Sequence, residues 1–396
     1  MQTINLTIRC CLTVFKTVKS VFQSQVAQPL TARLDFKKSG VLNRCYYLAV
    51  VCTVLLLSSC QKESLSDDTM LNSTTASAAS ASAKVSASIV DVGAPNKNLN
   101  YGAYICPPTY GQGWLGFQQT VANQLGISCL RGGTLVPGNG NEPTLLASGY
   151  DVLFNFNSND DEEDNNGNTP TPFVSDFQQY KTDLSNILAL CPTKPVVAVI
   201  ENEESNRFYY SGYAWDYIRQ LYAAINVMHD NNIKVANGGL TSGGLSYLVY
   251  YDFLNQGKAD SAEMFRKLTH VTPNSPITED RGIFVDSLIH AYNQMDVDYV
   301  NFHWKCASPD EVEAFKEVVT YLQRRCTKPV ISNEIGQYDN DPNTLLLMMQ
   351  VCTEKKLPYI VWYSPDQKHN KLATPLQYDD ATLTNTGDAY QSYLAQ

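Results

Sequence analysis

Charge is scarce in this chain. Only 17% of its 396 residues are Asp, Glu, Lys or Arg, while 44% are apolar. That balance excludes both a charge-laced coiled coil and a disordered chain. Basic residues are the scarcer sign, 29 against 39 acidic, for a net charge of −10. Seven of the 29 fall in residues 1–59, which hold a single acid, Asp35. The remainder carries 22 basic and 38 acidic residues, a net of −16. A body that acidic repels nucleic-acid phosphates, so no nucleic-acid partner is expected. There are only five histidines (229, 270, 290, 303 and 369), and none forms His-x-His or His-Glu-x-x-His. No Cys-x-x-Cys occurs among cysteines 106, 129, 191, 306, 326 and 352. Neither a catalytic metal nor a structural zinc site has its signature, and no cofactor is expected. No Gly-x-Ser-x-Gly elbow exists, and Thr241-Ser242-Gly243-Gly244 lacks the Lys of a phosphate cradle.

What is present begins with an address. Residues 46–57 form a twelve-residue apolar run preceded by Arg44. A membrane span needs about 20 such residues, whereas twelve suits the apolar part of a signal peptide. The run ends Leu57-Ser58-Ser59-Cys60, which resembles the lipobox of bacterial lipoproteins. That resemblance implies lipidation at Cys60, anchoring to the outer membrane of a bacterial envelope, and a signal region of 1–59. Residues 1–43 exceed an ordinary leading segment, so translation is expected to begin near Val41 or Leu42. Residues 60–98 are rich in Ser, Ala and Thr, bury no core and read as a flexible tether.

One domain is expected over 99–396. Strand-like apolar runs at 101–106, 127–132, 151–156, 195–200, 234–237, 299–304, 329–332 and 359–363 alternate with amphipathic helical patterns, clearest at 117–125, 177–190, 215–231, 311–325 and 343–356. Eight such repeats in about 300 residues predict a (β/α)₈ TIM barrel. An open doubly wound sheet is the runner-up, weakened because no glycine-rich phosphate loop follows the first strand. Two stretches exceed ordinary loops: 157–171, with the acidic run Asp160-Asp161-Glu162-Glu163-Asp164, and 245–295, an enlarged fifth unit with its own helices. The acidic spacing matches no EF-hand and reads as a solvated loop.

Chemistry in such barrels sits where strands end. Here those ends carry Arg131, Glu201-Asn202-Glu203-Glu204, Asn237, His303-Trp304-Lys305, Asn333-Glu334 and Trp362-Tyr363. Two strand-end glutamates with aromatic platforms are what glycosidic cleavage requires. The competing structural role for one such Glu is a salt bridge to a loop Lys such as Lys305.

Three motifs carry a resemblance to the clan A glycoside hydrolases. Val199-Ile200-Glu201-Asn202-Glu203 resembles their strand-four Asn-Glu, Val330-Ile331-Ser332-Asn333-Glu334-Ile335-Gly336 their strand-seven nucleophile segment, and Leu125 to Arg131 their strand-two Arg. The resemblance implies a retaining glycosidase acting on β-linked poly- or oligosaccharides. Glu203 is then the acid/base and Glu334 the nucleophile, with Arg131 holding Glu334. Glu201 and Glu204 are rivals to Glu203, which the preceding Asn favours. Asn202 is expected on the sugar 2-hydroxyl, Trp362 stacked on the cleaved sugar, and Trp304 beside it or walling the pocket. Asn237 joins the substrate-binding set. Tyr209 and Tyr210 are candidates for outer sugars. The family's strand-six Tyr is replaced by Asn301-Phe302-His303-Trp304, so His303 is expected to orient Glu334 or touch substrate. Glu203 should have a raised pKa until Glu334 is esterified. The alternative is a catalytically silent glycan-binding lipoprotein on the same barrel. In either reading the only partners expected are a glycan and, through the lipid, a membrane, and the chain is expected to be monomeric.

Overall fold

A computed structural model describes residues 89–108, 114–138, 144–158, 170–365 and 375–396. The signal region, Cys60, the tether up to residue 88 and the acidic run lie outside the described residues. Eight strands form one parallel sheet: β1 (Asn100–Ile105), β2 (Cys129–Leu135), β3 (Asp151–Asn157), β4 (Val197–Ile200), β5 (Lys234–Asn237), β6 (Val300–Cys306), β7 (Val330–Gln337) and β8 (Tyr359–Ser364). Their order is β5-β4-β3-β2-β1-β8-β7-β6. The two outer members then meet. Bridges join Ala236 to Tyr299 and Leu240 to Phe302, Leu240 N–H donates to Asn301 O at 3.0 Å, and His303 N–H donates to Leu240 O at 2.9 Å. The sheet is a closed barrel, not the open runner-up.

Between those bridges side chains take over from the ladder. Asn237 Oδ1 accepts from Asn301 N–H at 2.6 Å, and Asn237 Nδ2 donates to Asn301 O at 2.9 Å. Asn301 Nδ2 returns a bond to Asn237 O at 3.2 Å.

Helices α1 (Trp114–Leu125), α2 (Phe177–Leu190), α3 (Ala214–Asp230), α4 (Ser242–Asn255), α5 (Ala259–Thr269), α6 (Pro276–Tyr292), α7 (Val312–Arg325), α8 (Pro342–Glu354) and α9 (Asn385–Leu394) surround it. Side-chain caps start several of them. Asp176 accepts from Gln179 N–H, Asp341 from Asn343 N–H ahead of Pro342, and Thr384 from Gly387 N–H. Asn232 and Lys356 adopt left-handed backbone just past α3 and α8, a conformation in which helices commonly end. After β2 the described residues hold only a 3₁₀ turn, Thr144–Ala147, before β3. The 245–295 stretch carries helices of its own, and α4 packs on α6 at Gly244 and Gly282. A Cβ at Gly282 would fall 2.1 Å from the Tyr247 ring. Among the described residues no helix is long and apolar enough to cross a membrane, and their six cysteines are free thiols.

Strand alternation sorts the core into two layers. Cys129, Leu153, Val197, Val199, Ala236, Tyr299, Ile331 and Val361 fill the barrel interior. Their strand neighbours Leu130, Phe154, Ala198, Ile200, Val300, Phe302, Ile360 and Trp362 belong to the larger layer beneath the helices.

Candidate active site

The inner layer turns polar one step along five of the strands. Cys129 is followed at the same parity by Arg131, Leu153 by Asn155, Tyr299 by Asn301, His303 and Lys305, Ile331 by Asn333, and Val361 by Tyr363. Glu334 breaks parity with Asn333, and a β-bulge explains how both reach the site. On β6 and β7, Asn301 pairs with Ile331 but His303 pairs with Glu334, so β7 holds one extra residue.

Glu334 is 7% exposed. One oxygen, Oε2, is bonded by Arg131 Nη1, and the other, Oε1, accepts from Lys305 Nζ at 2.9 Å. Burial alone would raise its pKa, but the charges of Lys305, His303 and Arg131 hold it well below the usual carboxylate range. Arg131 uses four of its five N–H donors within the site. Its Nε donates to Asn155 Oδ1 (3.2 Å), its Nη1 also to Asn333 O (3.3 Å) and its Nη2 to Asn202 Oδ1 (2.7 Å). Each cation also lies over a tyrosine, Arg131 4.8 Å from the Tyr104 ring centre and Lys305 4.6 Å from that of Tyr363. The two rings are 5.8 Å apart. Cations and tyrosines thus enclose the Glu334 carboxylate on one side. The salt bridge to Lys305, the structural competitor in the sequence reading, is present alongside the Arg131 pair.

Glu203 stands opposite. His303 Nδ1 lies 3.2 Å from its Oε1, and Asn206 Nδ2 donates to its Oε2 at 2.8 Å. Nδ1 of the same ring is 3.9 Å from Glu334 Oε2. One side-chain ligand atom from each of Glu203, His303 and Glu334 lies within 4.8 Å of the others. This trio could offer donors to a metal ion, but Arg131 and Lys305 already balance Glu334, so an added dication would face two fixed positive charges. Burial and the Glu334 charge push the Glu203 pKa up, yet the hydrogen bond and charge of His303, with Asn206, outweigh them and lower it. The raised value expected from sequence is therefore not what the surroundings produce, because that expectation left out the His303 contact.

The three rival glutamates separate cleanly. Glu201 is fully buried and bonded by Ser158 N–H (2.9 Å), Ser158 Oγ, Tyr210 OH (2.8 Å) and Gln220 Nε2. Glu204 is equally buried, its Oε1 accepting from Tyr292 OH (2.7 Å) and Asn237 Nδ2 (2.8 Å). Burial raises its pKa to about 7. Only Glu203 faces Glu334. Both Glu201 and Glu203 hold left-handed backbone, φ 69° and 53°, a conformation costing roughly 1–2 kcal/mol per residue. The four donors on Glu201 anchor that loop. Farther along it, Arg207 lies over the Phe284 ring and Arg281 over the Phe208 ring, clasping the loop to α6.

Four sequence expectations are corrected. Trp362 is fully buried, in the helix-facing layer. A stacking platform cannot have that parity, and the residue one step on, Tyr363, faces the site instead. Trp304 shares the outer parity of Phe302 and is 5% exposed. Asn237 is fully buried, with its amide spent on the seam to Asn301 and on Glu204, so no group remains for substrate. Tyr210 is likewise buried against Phe173, while Phe208 is the exposed aromatic of that loop. Asn155, Asn206 and Tyr104 were not singled out from sequence, and Asn301, Asn333 and Tyr363 were named at strand ends without a role. The parity of Asn155 and Asn301 with Leu153 and Tyr299 was the signal available.

No protein-family model matches the sequence, and no curated protein matches it. Among solved structures, the chain is similar to a GH128 subgroup II endo-β-1,3-glucanase from Sorangium cellulosum, 13% identical, covering 74% of this chain and 98% of that one with a TM-score of 0.47. It is also similar to a GH128 subgroup VI exo-β-1,3-glucanase from Aureobasidium namibiae (12% identical, 75% and 97% covered, TM-score 0.44) and to a GH128 subgroup VII oligosaccharide-binding protein from Trichoderma gamsii (12%, 76% and 95%, 0.43).

Proposed function

We propose that this protein is a retaining β-glycosidase acting on a neutral poly- or oligosaccharide. The observation that supports it is a pair of carboxylates, Glu203 and Glu334, with oxygens within 4.8 Å, Glu334 held by Arg131 and Lys305 and Glu203 by His303 and Asn206. Retaining enzymes hold their carboxyl groups about 5–5.5 Å apart and inverting ones about 6.5–9.5 Å, and the first-formed anomer distinguishes the two. Glu334, kept ionised by Arg131 and Lys305, attacks the anomeric carbon. Glu203 passes its proton to the departing oxygen, and the glycosidic C–O bond breaks as the Glu334–sugar bond forms. Glu203, now ionised, takes a proton from water, whose oxygen displaces Glu334 and restores it. Asn202, whose Oδ1 is held by Arg131, has its amide N–H left for the sugar 2-hydroxyl. Tyr104 and Tyr363 supply the apolar wall. We assign attachment to a bacterial envelope through a lipid on Cys60, supported by the lipobox-like sequence and the tether after it.

The test is hydrolysis of a panel of β-1,3-glucans, β-1,4-glucans, mannans and xylans, with the first-formed anomer read by proton NMR. Turnover with a β-configured first product supports the reading, and an α-configured one overturns retention. Glu203→Gln and Glu334→Gln should each lower kcat by about 100-fold or more without unfolding the chain. Inertness on every glycan together with tight binding of one would establish the glycan-binding alternative.

A further inference from the structure

His303 is surrounded by amides whose orientations can be deduced one from another. Asn155 Oδ1 accepts from Arg131 Nε at 3.2 Å, and an Arg nitrogen only donates. The same Oδ1 therefore accepts the 3.0 Å bond from Asn333, which must present Nδ2 to it. Asn301 Oδ1 accepts from the Asn333 backbone N–H at 2.9 Å, so its Nδ2 faces Asn333 Oδ1 at 2.6 Å. Asn333 Oδ1 thus points to His303 Nε2, 2.8 Å away, as an acceptor. Nε2 must carry hydrogen. Gly239 presses against the same ring, since a Cβ there would lie 2.4 Å from Nε2.

With Nε2 protonated, Nδ1 of a neutral ring is a lone pair. It faces Glu203 Oε1 at 3.2 Å, and two lone pairs at that separation repel. One proton must lie between them. The other charged groups about the ring are Glu334 at 3.9 Å, Glu204, and through Glu334 the cations Arg131 and Lys305.

We propose that Asn333 is a positioning residue that locks His303 in its Nε2–H form, so that the proton shared by His303 Nδ1 and Glu203 Oε1 is the one delivered to the leaving oxygen. The balance is simple. When the ring holds that proton, the Nδ1–H bond breaks as Glu203 Oε1–H forms, leaving neutral His303. Glu203 then gives the same proton to the departing sugar oxygen. When water attacks the glycosyl-enzyme, its proton returns to Glu203 and the pair is restored. The inference rests on Glu203 being the acid/base, but the lock itself does not require turnover.

The test uses the full chain labelled with ¹⁵N-histidine, with the His303 signals assigned by His303→Gln. At a pH where the ring is neutral, wild type should show protonated Nε2 and bare Nδ1. Asn333→Ala should mix or reverse the two forms, and Asn333→Asp, which keeps an acceptor at that position, should restore them. In kinetics, Asn333→Ala should slow cleavage of sugar leaving groups about tenfold or more, while an aryl glycoside whose phenol leaves without a proton should change less than about threefold. A wild-type ring protonated at Nδ1 instead, or an Asn333→Ala chain with an unchanged ring, overturns the lock. Equal slowing of both substrates overturns the proton assignment. A chain inert on all glycans defeats the glycosidase reading alone, and the NMR result still decides the lock.

Discussion

Replacing Lys305 with Met isolates one of the two cations on Glu334. At 2.9 Å and an effective dielectric of about 20, their attraction is about 6 kcal/mol before the cost of burying the ammonium. After that cost, a neighbouring opposite charge lowers a carboxyl pKa by about 1–3 pH units, or roughly 1.4–4 kcal/mol. Glu334 has a folded pKa below its unfolded value. Its ionised form therefore stabilises the fold above the unfolded carboxyl value of about 4.3, and that stability is lost as pH falls through the folded value. Lys305→Met should thus lose about 1.4–4 kcal/mol near pH 7. The unfolded value is common to both chains and cancels, so the gap from wild type should narrow as pH falls below the folded Glu334 pKa of the variant, leaving a pH-independent remainder from the lost Tyr363 contact. Urea unfolding from pH 7 down to pH 3 measures this directly. A gap of constant size across that range would refute the claim that Lys305 holds Glu334 ionised. On any substrate the chain turns over, the acid limb of the rate profile should move up by the same 1–3 pH units.

Three further outcomes follow from named contacts. Gly239→Ala places a Cβ 2.4 Å from His303 Nε2 at a backbone φ of 129°, so kcat should fall about tenfold or more, and an unchanged kcat would show that the ring is not held there. Glu204 has its pKa raised by burial to about 7, so the folded state keeps a proton that the unfolded chain releases from about pH 4.3 upward. Stability contributed at this site declines as pH rises through that window, and Glu204→Gln should remove about 3–4 kcal/mol of the decline in a urea series. Trp362→Ala should cost about 3–5 kcal/mol of stability yet leave KM of the folded enzyme unchanged, whereas Tyr363→Ala should raise KM with a smaller loss of stability. The reverse pattern would mean that the strand parity is misread.

Much of this was legible in one sequence because the eight strands are short apolar runs alternating with amphipathic helical patterns. Glu203 was favoured over its neighbours because Asn202 precedes it. What escaped has local causes. The bulge on β7 adds one residue where no residue type announces it, so the shared approach of Asn333 and Glu334 was invisible. At the end of β8, Trp362 drew attention by its size, although alternation from buried Val361 assigns the inner face to Tyr363. Asn237 looked like a ligand for sugar because strand-end amides often are. Its real duty depends on a partner 64 residues away, which no local pattern reveals. The low pKa of Glu203 depends likewise on His303, 100 residues on.

The Asn237–Asn301 stitch has a hereditary consequence. A ladder of peptide bonds tolerates almost any change of residue, since every amino acid except proline brings the same donor and acceptor. Where the middle step of barrel closure passes instead through one pair of carboxamides, that step becomes a trait encoded in two codons. A single base change at either can unfasten the wall on which His303 stands, without touching any atom that meets a substrate.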